Sequence, residues 1–155
     1  MIIILSDVSD PALTTAAQNA HNSNAAAFGT VYAMGNNIPV LGISEDLFIL
    51  AHGAAVGDQG IPVIGSAASD FYLDAAAFFD NFRSIFPNGY SGDVYVDACY
   101  SGDTFTTVQG LLCPSFATSL CSRIRISYRD VNVFGRHGSV SGTMLLPGDP
   151  AWVQG

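Results

Sequence analysis

The sequence predicts an α/β domain with a mainly parallel central sheet, and three observations carry that prediction. Residues 2–5 (IIIL) and 47–51 (LFILA) are short runs without a polar residue, the pattern of strands buried on both faces. Residues 74–86 (DAAAFFDNFRSIF) place Ala75, Phe78, Phe79, Phe82, Ile85 and Phe86 at helical spacing on one face. The order that results, strand–helix–strand–strand–hairpin–helix–strand–helix–strand, is that of an α/β fold with right-handed crossovers.

Each element follows from local signals. The strand at 2–5 ends at Ser6-Asp7. A helix is expected over 11–28, with Asp10 as N-cap, Pro11 at its first position, and Leu13, Ala16, Ala17, Ala20, Ala27 and Phe28 on one side. Residues 30–34 (TVYAM) and 38–43 (IPVLGI) read as strand, turn and edge. The strand at 47–51 runs directly into His52-Gly53, and 56–64 carries a Gly-Asp-Gln-Gly turn that predicts a hairpin. Pro87 and Gly89 stop the helix at 74–86. The strand at 93–98 delivers Cys99. A helix follows over 115–124 behind Pro114 and Ser115, then strands at 131–134 (VNVF) and 139–146.

Composition narrows the function classes. A chain of 155 residues fits one domain, residues 1–155, with a proper core. It is 49% hydrophobic, yet no apolar run reaches the ~18–20 residues that span a bilayer. MIIIL lacks a preceding basic region and reads as a buried strand, not a signal peptide, so a cytoplasmic location is expected, with non-classical export open. The net charge is −8, with arginine as the sole strongly basic residue type, which argues against nucleic-acid binding and gives no polybasic membrane patch. Three cysteines, Cys99, Cys113 and Cys121, with no C-x-x-C pair, fit neither a disulfide framework nor a zinc site. No metal or cofactor is expected. The acids at 58, 70, 74, 80, 93 and 103 do not form an EF-hand loop and read as surface charge.

The chemistry concentrates at two strand ends, LFILA-His52-Gly53 and VYVDA-Cys99. In open α/β sheets ligands bind beyond the carboxyl ends of the strands. A single helical crossover joins these two, so they are expected to be neighbours that bring an imidazole and a thiol over one crevice. That pairing supplies a thiolate nucleophile and its proton partner. The amides of Gly53 and Cys99 would form the oxyanion hole. Cys113 and Cys121 read as structural thiols, and His21 and His137 as non-catalytic.

At FILAHG (48–53) and VYVDACYSG (94–102) the chain resembles the caspase-like superfamily of cysteine peptidases. The spacing from His52 to Cys99 is close to the roughly 50 residues of caspases. Asp-x-Cys-x-Ser-Gly is most similar to the metacaspases, which carry His where this chain has Tyr100. The resemblance implies a caspase-like three-layer sandwich reduced to its minimal core, with Cys99 as nucleophile, His52 as general acid and base, and Gly53 as an oxyanion donor. It also implies that Asp97 selects a basic residue before the scissile bond (P1), Arg over Lys. The partner implied is a protein or peptide substrate, with a homodimer open and neither nucleic acid nor membrane involved. The chain's own Arg123, Arg125, Arg129 and Arg136 become autoprocessing candidates where exposed. Two rivals stay open: a non-catalytic interaction domain, against which the intact His/Cys pair argues, and a proteolytic toxin or effector module. A phosphatase loop fails because Phe105 stands where Cys-x5-Arg needs arginine, and no G-x-S-x-G elbow occurs.

Overall fold

The computed structural model describes residues 1–6, 9–54, 60–66, 69, 71–107 and 109–155. Among these the chain runs β1 (Ile2–Ile4), α1 (Pro11–Ser23), α2 (Ala25–Phe28), β2 (Val31–Ala33), β3 (Leu47–Leu50), β4 (His52–Ala54), β5 (Val63–Ser66) and β6 (Phe71–Leu73). It continues through α3 (Ala75–Phe82), a 3-10 turn (Arg83–Ile85), β7 (Val94–Asp97), β8 (Phe105–Thr106), β9 (Leu112–Cys113), α4 (Phe116–Ile124), β10 (Val133–Arg136) and β11 (Trp152–Gln154). Six strands form the central sheet in the order β11-β10-β7-β3-β1-β2, all parallel except the antiparallel edge strand β11. β4, β5 and β6 make a small antiparallel sheet, and β8 pairs with β9 in a hairpin.

Alternation along the strands divides the core in two. Ile3, Leu47, Ile49, Val94, Val96 and Val133 pack with Phe78 and Phe82 of α3 and Phe116, Leu120 and Ile124 of α4. Ile2, Ile4, Phe48, Leu50 and Tyr95 pack with Leu13, Ala16, Ala17 and Ala20 of α1. On this second face Phe48 stacks on Tyr95 (4.9 Å) and Tyr95 on Phe134 (5.0 Å), with Trp152 5.0 Å from Tyr95. This aromatic row crosses β3, β7, β10 and β11 and fixes the register one layer below the strand ends that carry the candidate site.

Helix starts are where the capping signals put them. Asp10 caps α1, Asp74 caps α3 by accepting from the Ala77 amide, and Ser115 caps α4 by accepting from the Thr118 amide. The expected helix 11–28 divides at Asn24, whose amide closes α1 on Ala20 while its side chain caps α2. Residues 38–43 form no strand. Pro39 lacks an N–H, Val40 and Ile43 are exposed, and of the three apolar residues 40, 41 and 43 only Leu41 faces the core. Of the hairpin expected over 56–64, residues 56–59 lie outside the described residues, and β5 pairs antiparallel with β4. The strand expected over 131–134 comes two residues later, as β10, because Val131 closes a turn on Tyr128 and Asn132 is held by the Asp93 carboxylate. Residues 139–146 are irregular, with Gly142 at φ +44°, and the edge position goes to β11 instead.

Candidate active site

β3 and β7 lie side by side in parallel, with Leu50 level with Asp97 and the Ala51 amide bonded to the Asp97 carbonyl (3.4 Å). A Cβ on Gly53 would lie 2.2 Å from the Cys99 carbonyl oxygen and 3.0 Å from its amide nitrogen. The glycine is therefore a steric condition for the close approach of β4 to the turn that bears the thiol. The two strand ends expected to meet do meet, through their backbones.

His52 is 43% exposed, and its Nε2 lies 2.8 Å from Asp10 Oδ2. Asp10 Oδ1 accepts from the Ala12 and Leu13 amides at the start of α1. One carboxylate thus caps the helix and orients the imidazole. Burial raises the Asp10 pKa, but the hydrogen bonds from Leu13, His52 and Ala12 outweigh it and leave the carboxyl below its ordinary value. With Nε2 turned to the Asp10 carboxylate, Nδ1 lies on the other side of the ring. Sequence reading gave Asp10 its cap but not this second role. No local signal carried it, because the contact depends on β1 lying beside β3.

Cys99 opens a tight turn in which the Ser101 amide bonds the Ala98 carbonyl (3.2 Å). Tyr100, not Gly102, holds the left-handed conformation there, at φ +60°. The Tyr100 amide bonds the Gly138 carbonyl (2.7 Å), and Ser101 Oγ donates to the Val96 carbonyl (2.8 Å) and accepts from the Arg136 amide (2.9 Å). Residues 137–140 pack over this turn: Asp103 pairs with His137 Nδ1 and accepts from the Gly138 amide, and the Val140 amide donates to Cys99 Sγ (3.3 Å). The hydrogen bond at Cys99 sulfur is from Val140, and that of the His52 ring is to Asp10.

Asp97 departs from expectation. Its carboxylate is 2% exposed and is not waiting for a cation: Arg136 Nη1 lies 2.8 Å from Oδ1. The guanidinium sits over Trp152, 5.3 Å from the ring centre. Burial pushes the Asp97 carboxyl up to about 6, against the pull of Arg136. Placing β10 two residues later is what puts Arg136 on the strand beside Asp97 and not in a loop. It also removes Arg136 from the autoprocessing candidates, whereas Arg123, Arg125 and Arg129 are exposed.

The remaining candidates have structural surroundings. Cys121 is buried in α4, Cys113 lies in β9, and His21 Nδ1 bonds the Gly29 carbonyl (2.6 Å). Asp74 caps α3, Asp80 pairs with Arg123, Asp93 holds Asn132 and Asp103 holds His137. Asp58 and Asp70 lie outside the described residues. Among the described residues no cluster of His, Cys, Asp or Glu could hold a metal ion, and no helix is long and apolar enough to cross a membrane. Comparison with protein-family models, curated proteins and solved structures finds no match.

Proposed function

We propose that this chain is a cysteine endopeptidase of caspase-like type that cleaves after basic residues, Arg over Lys. One observation supports the reading: β3 and β7 run side by side in parallel with Leu50 level with Asp97, Gly53 lies against the Cys99 backbone, and the Asp10 carboxylate bonds the His52 ring. The Cys99 thiolate attacks the scissile carbonyl carbon, and the carbonyl electrons move onto oxygen. The amides of Gly53 and Cys99 hold that oxyanion. Its collapse expels the amine, which takes a proton from His52 and leaves a thioester on Cys99. His52 then removes a proton from water, the hydroxide attacks the thioester, and the thiolate departs. Asp97 supplies the carboxylate for the P1 cation, and the guanidinium already lying on it is the interaction an arginine substrate would make.

The competing reading, a non-catalytic domain on the same fold, draws on the Val140 amide that occupies the Cys99 sulfur. A hydrogen bond between nucleophile and base that forms only with substrate bound is ordinary for such sites. Treatment with a peptidyl-arginine chloromethyl ketone followed by mass mapping decides between them. Labelling of Cys99, lost in Cys99→Ala together with hydrolysis of P1-arginine peptides, is the expected result. Labelling that falls on Cys113 or Cys121, or none at all on a folded protein, excludes the peptidase.

A further inference from the structure

We infer that Arg136 stands, within the chain itself, where the guanidinium of a P1 arginine belongs, and so is the residue that sets access to Asp97 and the specificity of the site. The inference rests on the peptidase reading and adds a competitor to it.

Asp97 is buried to 2% exposure at the carboxyl end of β7, on the face that carries Tyr95. A carboxylate so enclosed has room for one close cation, and Arg136 is that cation, at 2.8 Å. Its backbone is fixed: the Arg136 amide donates to Ser101 Oγ, and its carbonyl accepts from the Gly102 amide (2.9 Å). Its side chain is less committed. It is 14% exposed, the pair to Asp97 runs through Nη1, and the rest of the guanidinium lies over the Trp152 ring. Cation–π contact gives the group a second resting place once Asp97 is taken from it.

The energetics of exchange then select the substrate. A P1 arginine replaces one guanidinium by another on Asp97, so the buried carboxylate is never left unpaired. Arg136 alone bears the loss, since it gives up the Asp97 carboxylate and keeps only the Trp152 face. A P1 lysine brings a single point charge in place of a planar fork and competes less well. An uncharged P1 residue cannot displace Arg136. The chain as it stands is therefore a weak enzyme even on its preferred substrate, restrained by its own arginine.

The test compares wild type, Arg136→Met and Arg136→Lys at pH 8. Each is inactivated with a peptidyl-arginine and a peptidyl-alanine chloromethyl ketone of otherwise equal sequence, and the labelled residue is mapped. Arg136→Met should raise the ratio of the arginine rate to the alanine rate by at least 10-fold, and Arg136→Lys by a smaller factor. A general loosening of the fold would speed both reagents alike and leave the ratio unmoved. If both reagents label Cys99 in every form but the ratio is unchanged or lower in a folded Arg136→Met protein, the inference is overturned and the peptidase reading stands. Should Arg136→Met not fold, the ratio in Arg136→Lys decides on the same terms. If neither ketone labels Cys99 in any form while iodoacetamide does, the peptidase reading falls and this inference falls with it.

Discussion

Asp10 holds two jobs on one carboxylate, Oδ1 on the α1 amides and Oδ2 on His52, and a single substitution can separate them. Asparagine caps a helix about as well as aspartate. Asp10→Asn should therefore leave the circular dichroism spectrum and melting temperature close to those of wild type. The charge that orients the imidazole is gone, so in the proposed mechanism turnover on a P1-arginine peptide should fall ~10–100-fold, mainly in kcat. Unchanged turnover in a folded Asp10→Asn protein would remove Asp10 from the catalytic arrangement. His52→Ala should cost ~10²-fold or more, since it deletes the group proposed to transfer the proton.

At the level of elements, the site depends on how closely β4 can lie against the turn after β7. Alanine at 53 would bring its Cβ to 2.2 Å from a backbone carbonyl, a clash that no side-chain rotation relieves. Gly53→Ala should destabilise the fold by about 3 kcal/mol, the upper range of overpacking, measured as a lowered urea midpoint. Gly35, at φ +92° with open space around its missing Cβ, is the control: alanine there meets only backbone strain and should cost about 1 kcal/mol. Equal effects at the two positions would show that Gly53 is not tightly opposed to Cys99 in solution. Gly135 is bound by the same logic, since its Cβ would meet the Ser101 carbonyl carbon at 2.6 Å and push β10 away from the turn that bears Cys99.

For the whole molecule, the pH dependence of stability carries a signature of the burial of Asp97. The Asp97 carboxyl titrates at about 6 in the folded chain, against an ordinary value of 3.8. An acid raised in this way binds its proton more tightly when folded. Its stabilising contribution is complete below about 4 and is lost as pH rises through 6, by up to about 3 kcal/mol. Asp10 and Asp103 are held below their ordinary values, Asp10 by the Leu13, His52 and Ala12 bonds and Asp103 by His137 and the Gly138 amide, each against the opposing effect of burial. They act in the opposite sense, and their contributions are lost as pH falls through their folded values. Urea unfolding of wild type and Asp97→Asn from pH 4 to 7 isolates the Asp97 contribution. The stability of wild type relative to the variant should decrease as pH rises. An advantage that grows with pH would mean that the ion pair, not burial, governs this carboxyl.

The sequence by itself determined the layout: apolar runs read as buried strands, a phenylalanine stripe at helical spacing, a cap at Asp10, a helix start at Ser115, and a thiol and an imidazole at the ends of two neighbouring strands. These are legible because hydrophobic periodicity and capping act over a few residues, within the reach of local pattern. Tertiary structure alone decided the rest. That Asp10 meets His52 across 42 positions, and that Arg136 meets Asp97 across 39, depends on strand order and on a two-residue placement of β10. The edge strand β11 was hidden because three residues near the chain end carry no periodic signal until β10 offers them a partner. The lone aspartate that sequence offered as a free P1 carboxylate became a paired one for the same reason: burying a charge requires a counter-charge, and which arginine supplies it is settled only when the strands are side by side.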